Sequence, residues 1–293
     1  MKIIFASNGS IGLEPLKAVA EVHEIVAVYT SEPFQNGKKT VENEIHEFAR
    51  LNNIQIKTPA TFKNTDVRDE FLGIEHDIVV VASYGFLLPD WFLESGKFRA
   101  INIHPSSLPR YRGAAPIQRA IENGDKNLDI CIIEMTKELD AGRILASENI
   151  DILGEETAVE IFEKVNRKSP ALLLKSLSLI ESGGVDYKDQ SGEPSYAKKI
   201  DKSELLLNFD KNVEVLANQI RAFNANGSCY FAYQGQRIKI HKSDFEFLAH
   251  NFENGQIDDK FNIYCDSGYL KPQILQKEGK GRVKIDEFLN GLR

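Results

Sequence analysis

The 293-residue sequence predicts an α/β chain in two parts: a Rossmann-like, doubly wound, mostly parallel sheet, then a small C-terminal β-barrel. Three observations carry that expectation. Through the first 150 residues, short runs apolar on both faces alternate with stretches of helical periodicity, the pattern of strands covered by crossover helices. The pattern stops at Ser182-Gly183-Gly184, and Ser191-Gly192-Glu193-Pro194-Ser195 has the composition of a linker. Beyond it, one helix precedes short alternating strands spaced by turn residues, which suits a small barrel or sandwich.

Taken in order, the first strand is Ile3-Ile4-Phe5-Ala6, ended by Ser7-Asn8-Gly9-Ser10, with a helix near 11–22. Ile25-Val26-Ala27-Val28 centres the second strand, and a polar loop follows it. A helix over 41–51 leads into Ile54-Gln55-Ile56, and one over 65–72 leads into Ile78-Val79-Val80-Val81-Ala82. Arg99-Ala100-Ile101-Asn102-Ile103 is the next strand, and 115–123 the next helix. Strands over 128–135 and 143–152 extend the sheet, and 157–181 forms a long amphipathic helix. A helix over 213–221 then precedes strands at 230–233, 237–241, 261–265 and 269–275. The expected domains are 1–190 and 204–293, with a linker at 191–203.

Composition narrows the function. No run approaches the roughly 18 apolar residues that a membrane helix needs. Met1–Ala6 is too short for a signal-peptide core. Cys131, Cys229 and Cys265 are widely spaced and lack CxxC spacing, so neither a disulfide framework nor a zinc site is expected, and a reducing cytoplasm is. Residues 201–293 balance thirteen Lys and Arg against thirteen Asp and Glu, so the net charge of −7 resides in 1–200. Global acidity argues against a nonspecific nucleic-acid binder. Locally, Arg237, Lys239, His241 and Lys242, then Lys271, Lys277, Lys280, Arg282 and Lys284, are either a solvated surface or a basic face for a polyanion.

The residues that point to chemistry lie between Asn102 and Ile121. Asn102 and His104 are two apart in an extended chain, so their side chains face one side of it. They end a strand, where open α/β sheets place their ligand crevice. Pro105 and Pro109 stiffen the loop that follows. Asp140 sits in a second loop, Lys137–Gly142, between two apolar strands, and on a parallel sheet both loops can meet at one crevice. An Asn amide can donate to a carbonyl oxygen becoming an oxyanion, and a protonated His can do the same and release a proton. A carboxylate near an imidazole holds it charged and oriented. The chain offers no serine elbow and no cysteine with a plausible His partner. The nucleophile is therefore expected from a substrate, in acyl transfer by direct attack.

These residues resemble a known family. Asn102-x-His104, the run from Ser106 to Ile117, and Leu139-Asp140-x-Gly142 look like the core of the 10-formyltetrahydrofolate-dependent formyltransferases. Val81–Pro89 is similar to the family's folate-pocket strand and loop, and Gly37-Lys38-Lys39 to a substrate-binding loop. Arg221–Asn224, Gly235–Ile240 and the closing Leu275–Gly291 resemble its oligonucleotide-binding (OB-like) barrel. The resemblance implies that Asn102 and His104 bind the formyl oxygen and its tetrahedral oxyanion, while Asp140 orients His104 and relays protons. It implies a pterin site from Ser106, Ser107, Leu108 and Pro109 with Phe86, Leu87, Leu88, Ile132 and Glu134. It implies tRNA contacts from Lys38, Lys39, Arg237, Lys239, Lys280 and Arg282. The co-substrate would be 10-formyltetrahydrofolate, with no metal. The acceptor would be the α-amine of initiator methionyl-tRNA, served by a cytoplasmic monomer that does not engage membranes.

Several positions depart from the family's pattern. Ser7-Asn8-Gly9 replaces Gly-Thr-Pro, Asn36 replaces an arginine, and Glu42-Asn43-Glu44-Ile45-His46 replaces a Pro-Ser-Pro-Val-Lys-like segment. Ala225-Asn226-Gly227-Ser228 replaces a Pro-Trp-Pro-Gly-like turn, and Ser107 replaces a leucine in the pterin wall. The loop near Lys38 is thereby less basic. Rival readings are an N-formyltransferase for an amino-sugar nucleotide, a formyltetrahydrofolate hydrolase, and a folate- or RNA-binding protein without turnover.

Overall fold

A computed structural model describes residues 1–9, 11–37 and 39–292. The chain divides into two compact units, one of residues 1–114, 129–150 and 162–196, the other of 115–128, 151–161 and 197–293.

The first unit is built on a seven-stranded sheet. In spatial order its strands are Ile144–Asp151, Asn127–Glu134, Ile101–His104, Ile78–Ala82, Lys2–Ser7, Glu24–Tyr29 and Ile56–Lys57. The last five pair in parallel, and Asn127–Glu134 runs antiparallel to Ile101–His104. Lys2–Ser7 lies inside the sheet, as its apolar run requires: Ile3, Ile4, Phe5 and Ala6 are fully buried. So are Ile78, Val80 and Ala82 beside it. Around Tyr29, the rings of Phe62, Phe71 and Phe92 meet at centroid distances of 5.5–6.4 Å and fill one face.

Local chemistry sets the helix ends. Asn43 caps Glu44–Leu51 by accepting the His46 amide at 2.9 Å. Glu42 then pairs with Arg50 at 3.1 Å, so an acid that departs from the family's basic segment serves this helix. The polar loop expected after the second strand is instead a hairpin, Phe34–Asn36 against Lys39–Val41. The helix Ala158–Ser182 continues through Pro170.

The second unit centres on a five-stranded antiparallel sheet, with Cys229–Tyr233, Gln236–Phe247, Gly268–Lys277 and Ile263–Cys265 in order, and Val283–Lys284 on Gly268–Lys277. The helix Val213–Phe223 buries Val213, Leu216, Ile220 and Phe223. Arg119 ties this unit internally through two bonds to Glu204, at 2.7 and 2.9 Å. Among the described residues no helix is long and apolar enough to cross a membrane, and no His, Cys, Asp and Glu cluster could hold a metal.

Candidate active site

Ile101–His104 pairs with a parallel strand on one side and an antiparallel one on the other, so Asn102 is paired on both flanks and His104 on the antiparallel one. Asn102 sits opposite Ile133, and His104 opposite Cys131. Directly opposed residues share a face of the sheet, so these four side chains lie on one side. Asn102 is 9% exposed and His104 4%. Among the described residues the Asn102 carboxamide has no hydrogen-bond partner. An amide held on a rigid strand with both functions unused suits a polar ligand atom.

His104 is fixed differently from the sequence expectation. Its Nε2 lies 3.0 Å from the Tyr111 carbonyl oxygen. A carbonyl only accepts, so Nε2 carries a proton, and Nδ1 is the nitrogen left for chemistry. Nδ1 lies 3.7 Å from Asp140 Oδ2, longer than a hydrogen bond. That carboxylate oxygen accepts the Gly113 amide at 2.8 Å. Asp140 is thus beside His104 but anchored elsewhere. Tyr111 and Asp140 both hold left-handed backbone, with φ of 60° and 48°. Such strain costs about 1–3 kcal/mol per residue and persists only where neighbours over-determine it.

The loop between these elements turns tightly. Ser106, Leu108 and Arg110 amides each donate back to a carbonyl two or three residues earlier, at 3.0 Å. The Cys131 thiol donates to the Ser106 carbonyl at 3.2 Å, and burial pushes that thiol up to about 12, so it stays protonated. It is no nucleophile.

Beside this constellation is a cleft of about 440 Å³, open to solvent. Phe86, Leu87, Leu88, Met135, Leu139 and Asp140 are among its walls. Leu87 is 89% exposed, an apolar side chain without cover at the cleft's edge. A mostly apolar lining with a few polar groups is the ordinary make-up of small-molecule sites.

Of the sequence-named pterin residues, Phe86, Leu87, Leu88 and Glu134 line this cleft. Ile132 does not. It pairs with Ile103, and strand alternation turns it to the face opposite Asn102 and Ile133. Ser106, Ser107, Leu108 and Pro109 lie outside the cleft lining. The Ser107 hydroxyl accepts the Asp129 amide at 3.1 Å, so this polar departure serves the chain itself. The buried Ser106 hydroxyl has no partner among the described residues. Glu134 is bound by both ends of the Arg143 guanidinium, at 2.7 and 3.2 Å.

Residues 1–177 match the family described as formyl transferase, and 199–293 match formyl transferase, C-terminal domain. The chain is 37% identical over 294 residues to a methionyl-tRNA formyltransferase of Rickettsia massiliae, covering 99% of this chain and 97% of that one. The chain belongs to the formyl transferase family. In fold it is similar to an N-formyltransferase from Helicobacter canadensis solved with folinic acid and dTDP-3-aminofucose, with a TM-score of 0.71 and 20% identity over 94% of this chain and 98% of that one. It is also similar to a methionyl-tRNA formyltransferase from Clostridium thermocellum, with a TM-score of 0.57 and 19% identity over 92% and 99% of the two chains.

As a formyl transferase, the chain has its basic candidates mainly in the second unit. Arg237 lies 4.6 Å over the Tyr230 ring. Lys239 pairs across strands with Tyr230 and Gln276. Gln276 donates to the Lys280 carbonyl at 2.7 Å, which fixes the turn carrying Lys280 and Arg282. Among the described residues Arg237, Lys239, Lys280 and Arg282 form no ion pair, whereas Lys271 is paired with Glu246. Lys38 lies outside the described residues, as does the side chain of Lys39. Sequence reasoning missed the Tyr111 carbonyl, the Gly113 amide, Met135 and Leu139.

Proposed function

We propose that the chain transfers a formyl group from 10-formyltetrahydrofolate to the α-amine of initiator methionyl-tRNA. Full-length identity to a methionyl-tRNA formyltransferase carries the acceptor, and favours it over an amino sugar. The unpartnered Asn102 amide beside His104 Nδ1 and Asp140 carries the chemistry.

On this reading the formyl oxygen sits between the Asn102 amide and the Nδ1 proton of a His104 imidazolium, whose Nε2 proton stays on the Tyr111 carbonyl. Both donors strengthen as the amine attacks and charge gathers on that oxygen. The new carbon–nitrogen bond forms, the bond from carbon to folate N10 breaks, and the proton lost by the amine is balanced by one gained at N10. Asp140, 3.7 Å from Nδ1, is the group placed to move that proton. An α-amine titrates near pH 8, so an appreciable neutral fraction exists and positioning matters more than a strong base. The apolar cleft at Phe86, Leu87 and Leu139 is the site assigned to the pterin. The exposed cations of the second unit are assigned to tRNA phosphates, and the compartment to the cytoplasm.

The test is formyl transfer from 10-formyltetrahydrofolate, offered charged initiator tRNA and an amino-sugar nucleotide panel in parallel. Transfer to the tRNA, reduced about 100- to 1000-fold in Asn102→Ala, is the expected result. Transfer to a sugar alone would overturn the acceptor, and full activity in Asn102→Ala would overturn the site.

A further inference from the structure

We propose that residues 190–195 are a splint that positions both His104 and Asp140, with Gln190 and Ser195 as its working residues. The segment has the Ser/Gly/Pro composition of a linker, yet the polar groups of its two end residues are spent on the loops that carry His104 and Asp140. Gln190 donates through Nε2 to two backbone carbonyls, Asp140 at 2.7 Å and Gly142 at 2.8 Å. Its Oε1 accepts Arg112 Nε at 3.1 Å and the neighbouring guanidinium nitrogen at 2.8 Å. One carboxamide therefore joins the loop holding Asp140 to the loop between His104 and Gly113.

Ser195 grips the other end. Its Oγ accepts the Tyr111 amide at 2.9 Å, and its carbonyl accepts the Arg112 amide at 2.9 Å. Its own amide donates to the Pro109 carbonyl at 3.2 Å. Tyr111 is the residue whose carbonyl holds His104 Nε2, so Ser195 fixes the imidazole through one intermediary. Both strained residues, Tyr111 and Asp140, are thus gripped by the splint at a backbone group. Left-handed backbone at a non-glycine residue relaxes when its anchors go. A carboxylate displaced by even 1 Å from reacting atoms can cost about 100-fold in rate. Arg112, buried and tied also to Glu138 at 3.1 Å, gives Gln190 a rigid base.

This inference rests on the proposed roles of His104 and Asp140. Gln190→Glu separates the splint from plain folding support. It keeps an acceptor for Arg112 but sets a carboxylate against the two carbonyls that the amide grips. The expected result is a fall in kcat of about 10- to 100-fold, with KM for 10-formyltetrahydrofolate and for tRNA within twofold of wild type. Ser195→Ala should lower kcat at least fivefold, and Ser195→Thr, which restores the hydroxyl, should recover it to within twofold. Should Gln190→Glu not fold, the Ser195 pair decides alone. Gln190→Glu with wild-type kcat, or Ser195→Thr no better than Ser195→Ala, overturns the splint. Asp140→Asn run in parallel keeps the two readings apart: full activity there removes the proposed site, whereas inactivity there beside an active Gln190→Glu removes only the splint.

Discussion

His104 Nε2 donates to the Tyr111 carbonyl across 3.0 Å, and this bond, not a carboxylate, sets the plane of the imidazole. A backbone acceptor cannot give a proton back, so one tautomer is enforced in the neutral ring. In nitrogen-15 spectra of the protein labelled at histidine, the neutral form of His104 is expected to be protonated at Nε2 and bare at Nδ1, the nitrogen that takes the second proton in the imidazolium that donates to the formyl oxygen. The opposite tautomer would mean that the ring is turned over and that Nδ1 is not the reactive nitrogen.

Asp140 is the neighbour that the proposed chemistry needs charged. Asp140→Asn keeps an oxygen for the Gly113 amide, which Asp140 Oδ2 now holds at 2.8 Å, so the loop is expected to stay in place. Turnover should fall by orders of magnitude while folate binds as in wild type. A fall of less than tenfold, about 1.4 kcal/mol of barrier, would show that no proton passes through this residue.

Gly142 bears on the same loop through a steric contact. A Cβ there would lie 1.8 Å from the Glu134 carbonyl oxygen, against backbone that cannot step aside cheaply. Gly142→Ala must therefore push the Asp140 loop off the neighbouring strand. The expected cost is about 1–3 kcal/mol of stability, seen as a lowered melting temperature, together with a loss of kcat. Unchanged melting and activity would mean that the loop has slack the geometry does not show.

The sequence disclosed some of this and hid the rest for physical reasons. Asn102 and His104 could be placed on one side of a strand because extended chain alternates with period two. The same period, applied across the 131–134 strand, assigns Ile133 and not Ile132 to the face of Asn102. The groups that fix the site, the Tyr111 carbonyl and the Gly113 amide, are backbone, and every residue type carries those. Gln190 stands 50 residues from Asp140, beyond any local pattern. Ser195 was hidden by a composition that usually means solvent-exposed linker, although its bonds go to residues 109–112. Asn43 and Glu42 illustrate the converse. They stand where the family's segment is basic, and the structure spends them on a helix cap and an ion pair with Arg50.

His241 makes stability depend on pH in a definite direction. It is buried between the Ser228 hydroxyl and Gln276, each at 2.8 Å. Burial holds its pKa below the usual imidazole range, the Gln276 bond opposes that, and Arg282 and Lys239 add to it. The unfolded imidazole takes its proton near pH 6.5, the folded one only at lower pH. Between those values the unfolded state binds more protons, so stability is full above about pH 6.5 and is lost as pH falls through that window. Denaturant titrations between pH 7.5 and 5 should show wild type losing stability faster than His241→Gln. Parallel curves would show that this ring does not contribute.

The same neighbours give the tRNA assignment its sharpest test. Arg282 and Lys239 stand close enough to His241 to depress its pKa, while Lys280 follows on the turn held by Gln276, so the cations of this sheet are grouped. Among the described residues they form no ion pair, so on binding they can displace counterions from phosphates without first breaking a partner. Each such contact contributes roughly 0.7–0.9 to the slope of log affinity against log salt. Arg237→Ala and Arg282→Ala are each expected to weaken tRNA binding and to lower that slope by about 1, and together by about 2. Folate KM should not change in either variant. A slope equal to wild type in the double variant would remove these residues from the tRNA path and leave the exposed cations as solvated surface.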